Sequence, residues 1–288
     1  MFEERIILNL RPMNVGEILD QIFKLYFGQF KSYVAIVVLG LAPMIVLMIF
    51  WAFMGLNFIS HITAGGMTGG MYALFNPVLI VILAVLYIAS LVISLAMYGA
   101  IIFKISAQIN EQEVKIREAY RSGFRKAWRL FLGALLFGLT SMIGFILLIA
   151  PGIYLATSFS LYMQAIIIED AGPVSALKRS MHLIRGRWWQ TFFIMFLVMI
   201  LLYVVEAVGS LISIPLLLLS MVVLKNPVAA QLINLAVTVP LMILLAPFFM
   251  IAYTLIYYDL RIRKENLDLQ LMVGSLTSNN IETLGEQI

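Results

Sequence analysis

Six stretches of this chain, 33–56, 77–103, 130–150, 153–168, 191–223 and 228–258, run almost without a charged side chain, Glu206 being the exception. A hydrocarbon layer about 30 Å thick is crossed by roughly 20 apolar residues in a helix. Every backbone N–H and C=O must find its partner inside such a segment, and a helix meets that demand. The fold class expected is therefore an all-α integral membrane protein with six transmembrane helices. Composition closes the alternatives. Of 288 residues, 62% are hydrophobic and 12% charged, against about 25% charged in a soluble domain. That is too little charge to cover a soluble globule and too much apolar surface for a disordered chain.

Details within the stretches refine this picture. The fourth is short, and Pro151-Gly152 between it and the third suits a tight turn between antiparallel helices. The fifth and sixth are longer than a crossing needs, so tilt, a kink at Pro215 or Pro240, or a partly exposed end is expected. Residues 57–76, with Gly65-Gly66 and Gly69-Gly70, read as a small flexible outer loop. Residues 1–32 carry charges throughout and lack the short apolar core and small-residue cleavage site of a signal peptide.

The basic residues are sorted by side. Four precede the first span, seven lie between spans two and three, four between spans four and five, and three after span six, whereas the alternate links hold Lys225 alone. By the positive-inside rule both termini are cytoplasmic. The net charge of +4 then reflects this sorting, and no nucleic-acid partner is expected. With no cysteine, disulfides, thiolate metal sites and a cysteine nucleophile are excluded.

Each basic link carries an amphipathic helix pattern. Before span one the apolar stripe is Val15, Ile18, Leu19, Ile22, Phe23, Tyr26 and Phe30; before span three it is Ile116, Ala119, Tyr120, Phe124, Ala127 and Phe131; before span five it is Val174, Leu177, Met181, Ile184 and Trp188. The chain reads as three copies of a cytoplasmic amphipathic helix followed by a hairpin, at about 14–103, 115–168 and 173–259. Together they make one membrane domain, 1–264, with a short cytoplasmic tail, 265–288.

Several of these residues also form a familiar set. Pro151-Gly152-Ile153-Tyr154-Leu155, Glu169-Asp170-Ala171-Gly172-Pro173, Ala176-Leu177-Lys178-Arg179-Ser180, Leu183 and Gly186-Arg187-Trp188-Trp189 are joined by the tail from Tyr257-Tyr258-Asp259 to Leu269 and by Arg11-Pro12-Met13 with Gly16 to Asp20. This set resembles the glycerophosphoryl diester phosphodiesterase membrane-domain family and related bacterial membrane proteins of unknown function. Asn266 stands where a glycine is usual, and Thr157-Ser158 where an arginine is common. The resemblance implies a bacterial inner-membrane protein of about six spans. It does not imply the phosphodiesterase reaction, because that metal-assisted hydrolysis belongs to a separate barrel of about 250 residues, and the stretches outside the spans are far shorter.

Candidate chemistry is sparse. His61 and His182 fall on opposite sides and cannot share a metal, and zinc needs three or four clustered ligands. No catalytic set, metal site or cofactor is expected. An acid within a span is a functional candidate by default: Glu206 could carry a proton, bind a cation or hold a cationic substrate. It could equally be neutral in hydrocarbon or sit at the outer interface. Arg117, Arg121, Arg125 and Lys126, with Lys178, Arg179, Arg185 and Arg187, are candidate contacts for anionic headgroups. Trp128, Trp188 and Trp189 are candidate interfacial anchors. Small residues four apart, as at Ala96 with Gly99 and Ala100 and at Gly133-Ala134 with Gly138, point to close helix packing.

Two functions fit. One is a non-catalytic multi-pass protein that organises membrane lipid, a membrane-protein partner or a second copy of itself at the cytoplasmic face. The other is a small transporter, or an export or immunity protein against a membrane-active peptide, using Glu206.

Overall fold

The computed structural model describes residues 13–63, 77–110, 112–223 and 227–265. They are helical almost throughout, with no strand among the described residues. The helices are α1 (Val15–Gly28), α2 (Phe30–Thr63), α3 (Pro77–Ile109), α4 (Ile116–Leu147), α5 (Ile149–Phe159), α6 (Tyr162–Ile168), α7 (Pro173–Ile184), α8 (Trp188–Leu218) and α9 (Pro227–Glu265). Six helical segments are long and apolar enough to cross a membrane: Phe30–Trp51, Ile80–Ile109, Ile116–Leu147, Ile149–Ile168, Trp188–Val222 and Leu232–Glu265. The expected outer loop begins late, since α2 runs to Thr63; 64–76, Arg5, Arg11, Lys225 and the tail from 266 lie outside the described residues.

Two of the three amphipathic patterns form separate helices. In α1 the Asn14 N–H donates to Glu17 Oε2 at 2.9 Å in a capping box, which satisfies N-terminal donors that have no helical partner. Its buried face is Ile18, Ile22, Leu25 and Tyr26. Pro173 opens α7, where its missing N–H costs nothing. That helix buries Ala176, Leu177, Ser180, Leu183 and Ile184 and stops before Gly186, whose φ of +93° favours glycine. The middle pattern makes no such break. It forms the first turns of α4, because the glycine at its centre, Gly123, stays helical and is used for packing.

Gly123 shows how tightly the spans meet. A Cβ there would lie 2.1 Å from the Ala96 carbonyl oxygen of α3, and one on Gly99 would lie 3.0 Å from Gly123 Cα. Apolar side chains gain nothing by leaving lipid, so spans associate through such close van der Waals approach. Ala96, Gly99 and Ala100 pack as the small-residue pattern predicts. Gly138 does not, having no neighbour within 4 Å of its would-be Cβ.

The turn between the third and fourth spans falls at Leu148, in extended backbone (φ −171°, ψ 158°), three residues before the expected Pro151-Gly152. Pro151 sits inside the first turn of α5, where proline is tolerated. A Cβ on Gly152 would meet the Phe145 ring at 2.3 Å, so this glycine lets the returning helix pass close to α4. The fourth span is itself broken at Ser160-Leu161. Ser158 Oγ donates to the Tyr154 carbonyl at 2.7 Å and Ser160 Oγ to the Thr157 carbonyl at 2.8 Å, hydroxyl bonds that compete with the helical ladder. Pro215 lies inside α8, which passes into a π-helical turn at Leu219–Val223. In α9, Pro240 is joined by Pro247. Proline lacks an N–H and loosens the preceding turn, and there the Leu244 carbonyl accepts from Tyr26 Oη at 3.1 Å.

Burial is uneven along the bundle axis. At the end that gathers α1, the start of α4, α6, α7 and the close of α9, residues such as Ile18, Tyr33, Ile101, Leu130, Ile166 and Tyr257 are fully or almost fully buried. Toward the other end Val81, Ile146, Ile149, Leu211 and Met221 are exposed. The protein is packed as a core at its basic end and spread at the opposite one.

Candidate functional site

The buried basic end is held by polar contacts between segments far apart in sequence. Glu169, just after α6, is the hub. It accepts a two-pronged pair from Arg179 Nε and Nη2, both at 2.8 Å, and a hydrogen bond from Tyr257 Oη at 2.5 Å. Arg261 Nε lies 3.2 Å from the same carboxylate. Arg179 also pairs with Glu265, which Arg261 meets at 3.3 Å. Arg179 holds its proton more tightly than a free arginine, first through Glu265 and, against desolvation, through Glu169. Forked arginine–carboxylate pairs fix geometry as well as contributing energy. The set ties α7 to the end of α9.

Two further clamps surround this hub. Asp259, 3% exposed, accepts the Met13 N–H at 2.9 Å and Arg263 Nε at 2.8 Å. Arg263 Nη2 returns to the Met13 carbonyl at 2.6 Å, so the entry to α1 is fastened to α9. On the other flank Lys126 Nζ donates to the carbonyls of Ile166 and Ile167 at 3.3 and 2.9 Å. These are last-turn carbonyls of α6, which have no helical donor. Lys126 also pairs with Asp170 at 3.1 Å, and Arg129 meets the same carboxylate at 2.8 Å. The Lys126 hydrogen bond, with its charge and those of Arg129 and Arg125, holds the Asp170 carboxyl below its ordinary value.

This arrangement divides the eight basic candidates. Arg117, Arg121, Arg125, Lys178, Arg185 and Arg187 are exposed. Lys126 and Arg179 are not available in the way the pattern suggested. The Lys126 side chain is 8% exposed and caps α6, while Arg179 is committed to Glu169 and Glu265. A helical wheel places both near the polar side. The tertiary fold closes over that sector because unpaired carbonyls and a carboxylate wait there.

The aromatic candidates divide too. Trp128 and Trp189 are 68% and 67% exposed, at the level where the exposed arginines lie. Trp188 is half-buried: it stacks on Tyr154 and Phe192, with centroids at 5.5 and 5.2 Å, and its Nε1–H donates to the Tyr154 carbonyl at 3.3 Å. It joins α8 to α5.

Glu206 is exposed, beside exposed Tyr203, Val204 and Val205. It stands 18 residues into α8, about 27 Å from Trp188 along the axis. It does not face the interior of the bundle. His182 is exposed, and its carbonyl accepts from Lys264; the side chain of His61 lies outside the described residues. No group of three or more metal-ligating side chains occurs among the described residues.

The Glu169, Lys126 and Asp259 clusters were not legible as sites. Glu169, Arg179 and the segment from Tyr257 to Glu265 lie far apart in the sequence, and in space they touch. Residues 125–260, a little under half of the chain, match a family model described as a domain of unknown function (DUF7847). Neither the curated proteins nor the solved structures contain a match to the chain. The matched region runs from Arg125 to Leu260, taking in the Lys126 cap and the Glu169–Tyr257 contact.

Proposed function

We propose that the protein is a non-catalytic multi-pass module of a bacterial inner membrane, with its basic end in the cytoplasm, where it gathers anionic lipid headgroups. The single observation that carries this reading is the face of Arg117, Arg121 and Arg125, spaced four apart, exposed, and flanked by exposed Phe124 and Trp128. Guanidinium groups at this spacing lie on one helix face and bind phosphate in a forked geometry, while the rings sit at headgroup depth. Exposed Lys178, Arg185 and Arg187 extend the charge from the neighbouring α7–α8 junction. The 18-to-1 sorting of basic residues supports the orientation. The motif resemblance to the phosphodiesterase membrane-domain family supports the bacterial inner membrane. A path centred on Glu206 is not part of this reading, since that residue faces outward.

The test uses the full chain in nanodiscs of phosphatidylethanolamine and phosphatidylglycerol, with retained lipid counted by native mass spectrometry. At about 1 kcal/mol per basic residue near an anionic surface, replacing Arg117, Arg121 and Arg125 with Gln is expected to weaken phosphatidylglycerol retention by about 100-fold. Phosphatidylethanolamine retention should stay unchanged. Equal phosphatidylglycerol retention in wild type and triple variant would overturn the reading.

A further inference from the structure

Between α4–α5 on one side and α8–α9 on the other lies a cavity of about 400 Å³. That is within the range of about 300–1,000 Å³ that holds small molecules. Its lining is mostly apolar, with Phe145, Ala156, Phe196 and Met199 contributing, and no charged side chain lines it among the described residues. Phe145, Phe196 and Met199 are also exposed at membrane depth, so the cavity opens sideways between spans.

Two independent features give this space a polar end. The first is Gln164, which lines it, is 1% exposed, and has a buried Oε1 with no hydrogen-bond partner. An amide oxygen left so at membrane depth costs free energy unless something donates to it. The second is the break in the fourth span at Ser160-Leu161, where Ser160 also lines the cavity. Irregular backbone at this depth is tolerated where it is buried in protein or borders a cavity, and here it is buttressed from α7. Leu161 N–H donates to Ser180 Oγ at 3.1 Å, and that hydroxyl donates to the Ser158 carbonyl at 2.8 Å. The break is thus built and held, and it turns α6 so that Gln164 reaches the cavity.

We propose that the cavity binds a neutral long-chain lipid whose hydroxyl or amide N–H donates to Gln164 Oε1 while its chain lies along the phenylalanine and methionine lining. Charge decides the class. The unpartnered atom is an acceptor and calls for a donor, and no cation among the described residues lines the space to neutralise a phosphate or carboxylate. Placement decides the source. Gln164 lies four residues, about 6 Å, from the end of its span at Ile168, near the polar clusters, and the apolar walls run toward mid-membrane. A lipid entering from the adjoining leaflet would therefore arrive head and tail in register. This site is separate from the arginine face and survives or fails independently of it.

The test is photolabelling of the full chain in phosphatidylethanolamine vesicles with a diazirine-bearing hexadecanol and, in parallel, its methyl ether, which cannot donate. Labelling by the alcohol is expected on peptides containing Phe145, Ala156 and Phe196. Gln164→Leu should lower alcohol labelling about five- to tenfold, the worth of one net hydrogen bond, and leave ether labelling unchanged, which also reports that the pocket is folded. Ala156→Trp, which fills the space, should abolish labelling of these peptides by both probes. The proposal is overturned if Gln164→Leu leaves alcohol labelling unchanged or lowers both probes together. It is equally overturned if Ala156→Trp leaves either label in place, or if label spreads evenly over the exposed face of α8.

Discussion

Replacing Gly123 with alanine adds one methyl group where the structure has no room for it. The new Cβ would lie 2.1 Å from the Ala96 carbonyl oxygen, 3.0 Å from its carbon and 3.1 Å from the Ala100 nitrogen. All three atoms are backbone of α3, so no rotamer change relieves the contact; the helices must separate by about 1 Å. Separation then loosens what depends on this approach, including Gly99 against Gly123 and the Tyr120 Oη donation to the Ile36 carbonyl of α2. Overpacking of this kind costs about 1–3 kcal/mol, and alanine regains up to about 1 kcal/mol through helix propensity. A net loss of about 1 kcal/mol corresponds to a Tm lower by roughly 2–4 °C, read by thermal unfolding in detergent. Gly138→Ala, on the same helix with nothing within 4 Å, supplies the control and should be neutral or slightly stabilising. Equal Tm values for the two variants would refute the packing argument.

Two further outcomes follow from the polar end. Lys126→Met keeps the length of the side chain but removes the donor to two α6 carbonyls and to Asp170; with charged hydrogen bonds worth about 1.5–3 kcal/mol, thermal unfolding should show a clear loss of stability, whereas Arg117→Gln should unfold like wild type. Asp170 contributes through a carboxyl held below its ordinary value of 3.8 by Lys126. Its contribution is fully present above that ordinary value and disappears as pH falls through the lower, folded value. Asp170→Asn keeps a residue that tolerates the φ of +55° found there. The Tm gap between wild type and this variant should be constant from neutral pH down to about 4 and close below it; a gap that persists at the lowest pH would contradict the assignment.

Local and long-range determinants of this fold are distinct. Span positions were legible because transfer into hydrocarbon is summed locally along a helix. The amphipathic helices α1 and α7 were legible for a related reason: their stripes, caps and terminating residues lie within one or two turns. Where a local signal had two uses, the sequence was ambiguous. Gly123 reads as a helix breaker or as a packing surface, and the neighbouring α3 makes it the second. Pro151-Gly152 reads as a turn or as a first helical turn, and close passage beside Phe145 makes it the second. The serines of the fourth span show no periodicity that announces a break.

Charge placement follows the same division. The amino-acid sequence alone determined six apolar crossings, a one-sided basic end and the absence of thiol chemistry, all from terms additive over a short window. Only the tertiary structure decided which of those basic residues stay exposed and which serve the core. Lys126 finds carbonyls 40 and 41 residues away, Glu169 meets Tyr257 across 88 residues, and Asp259 fastens Met13 across 246. Gln164 lies in a hydrophobic run, and its polarity becomes informative once the fold has surrounded it and left its oxygen unpaired. Such partners are set by which helices pack together, and that choice rests on contacts summed over the whole bundle.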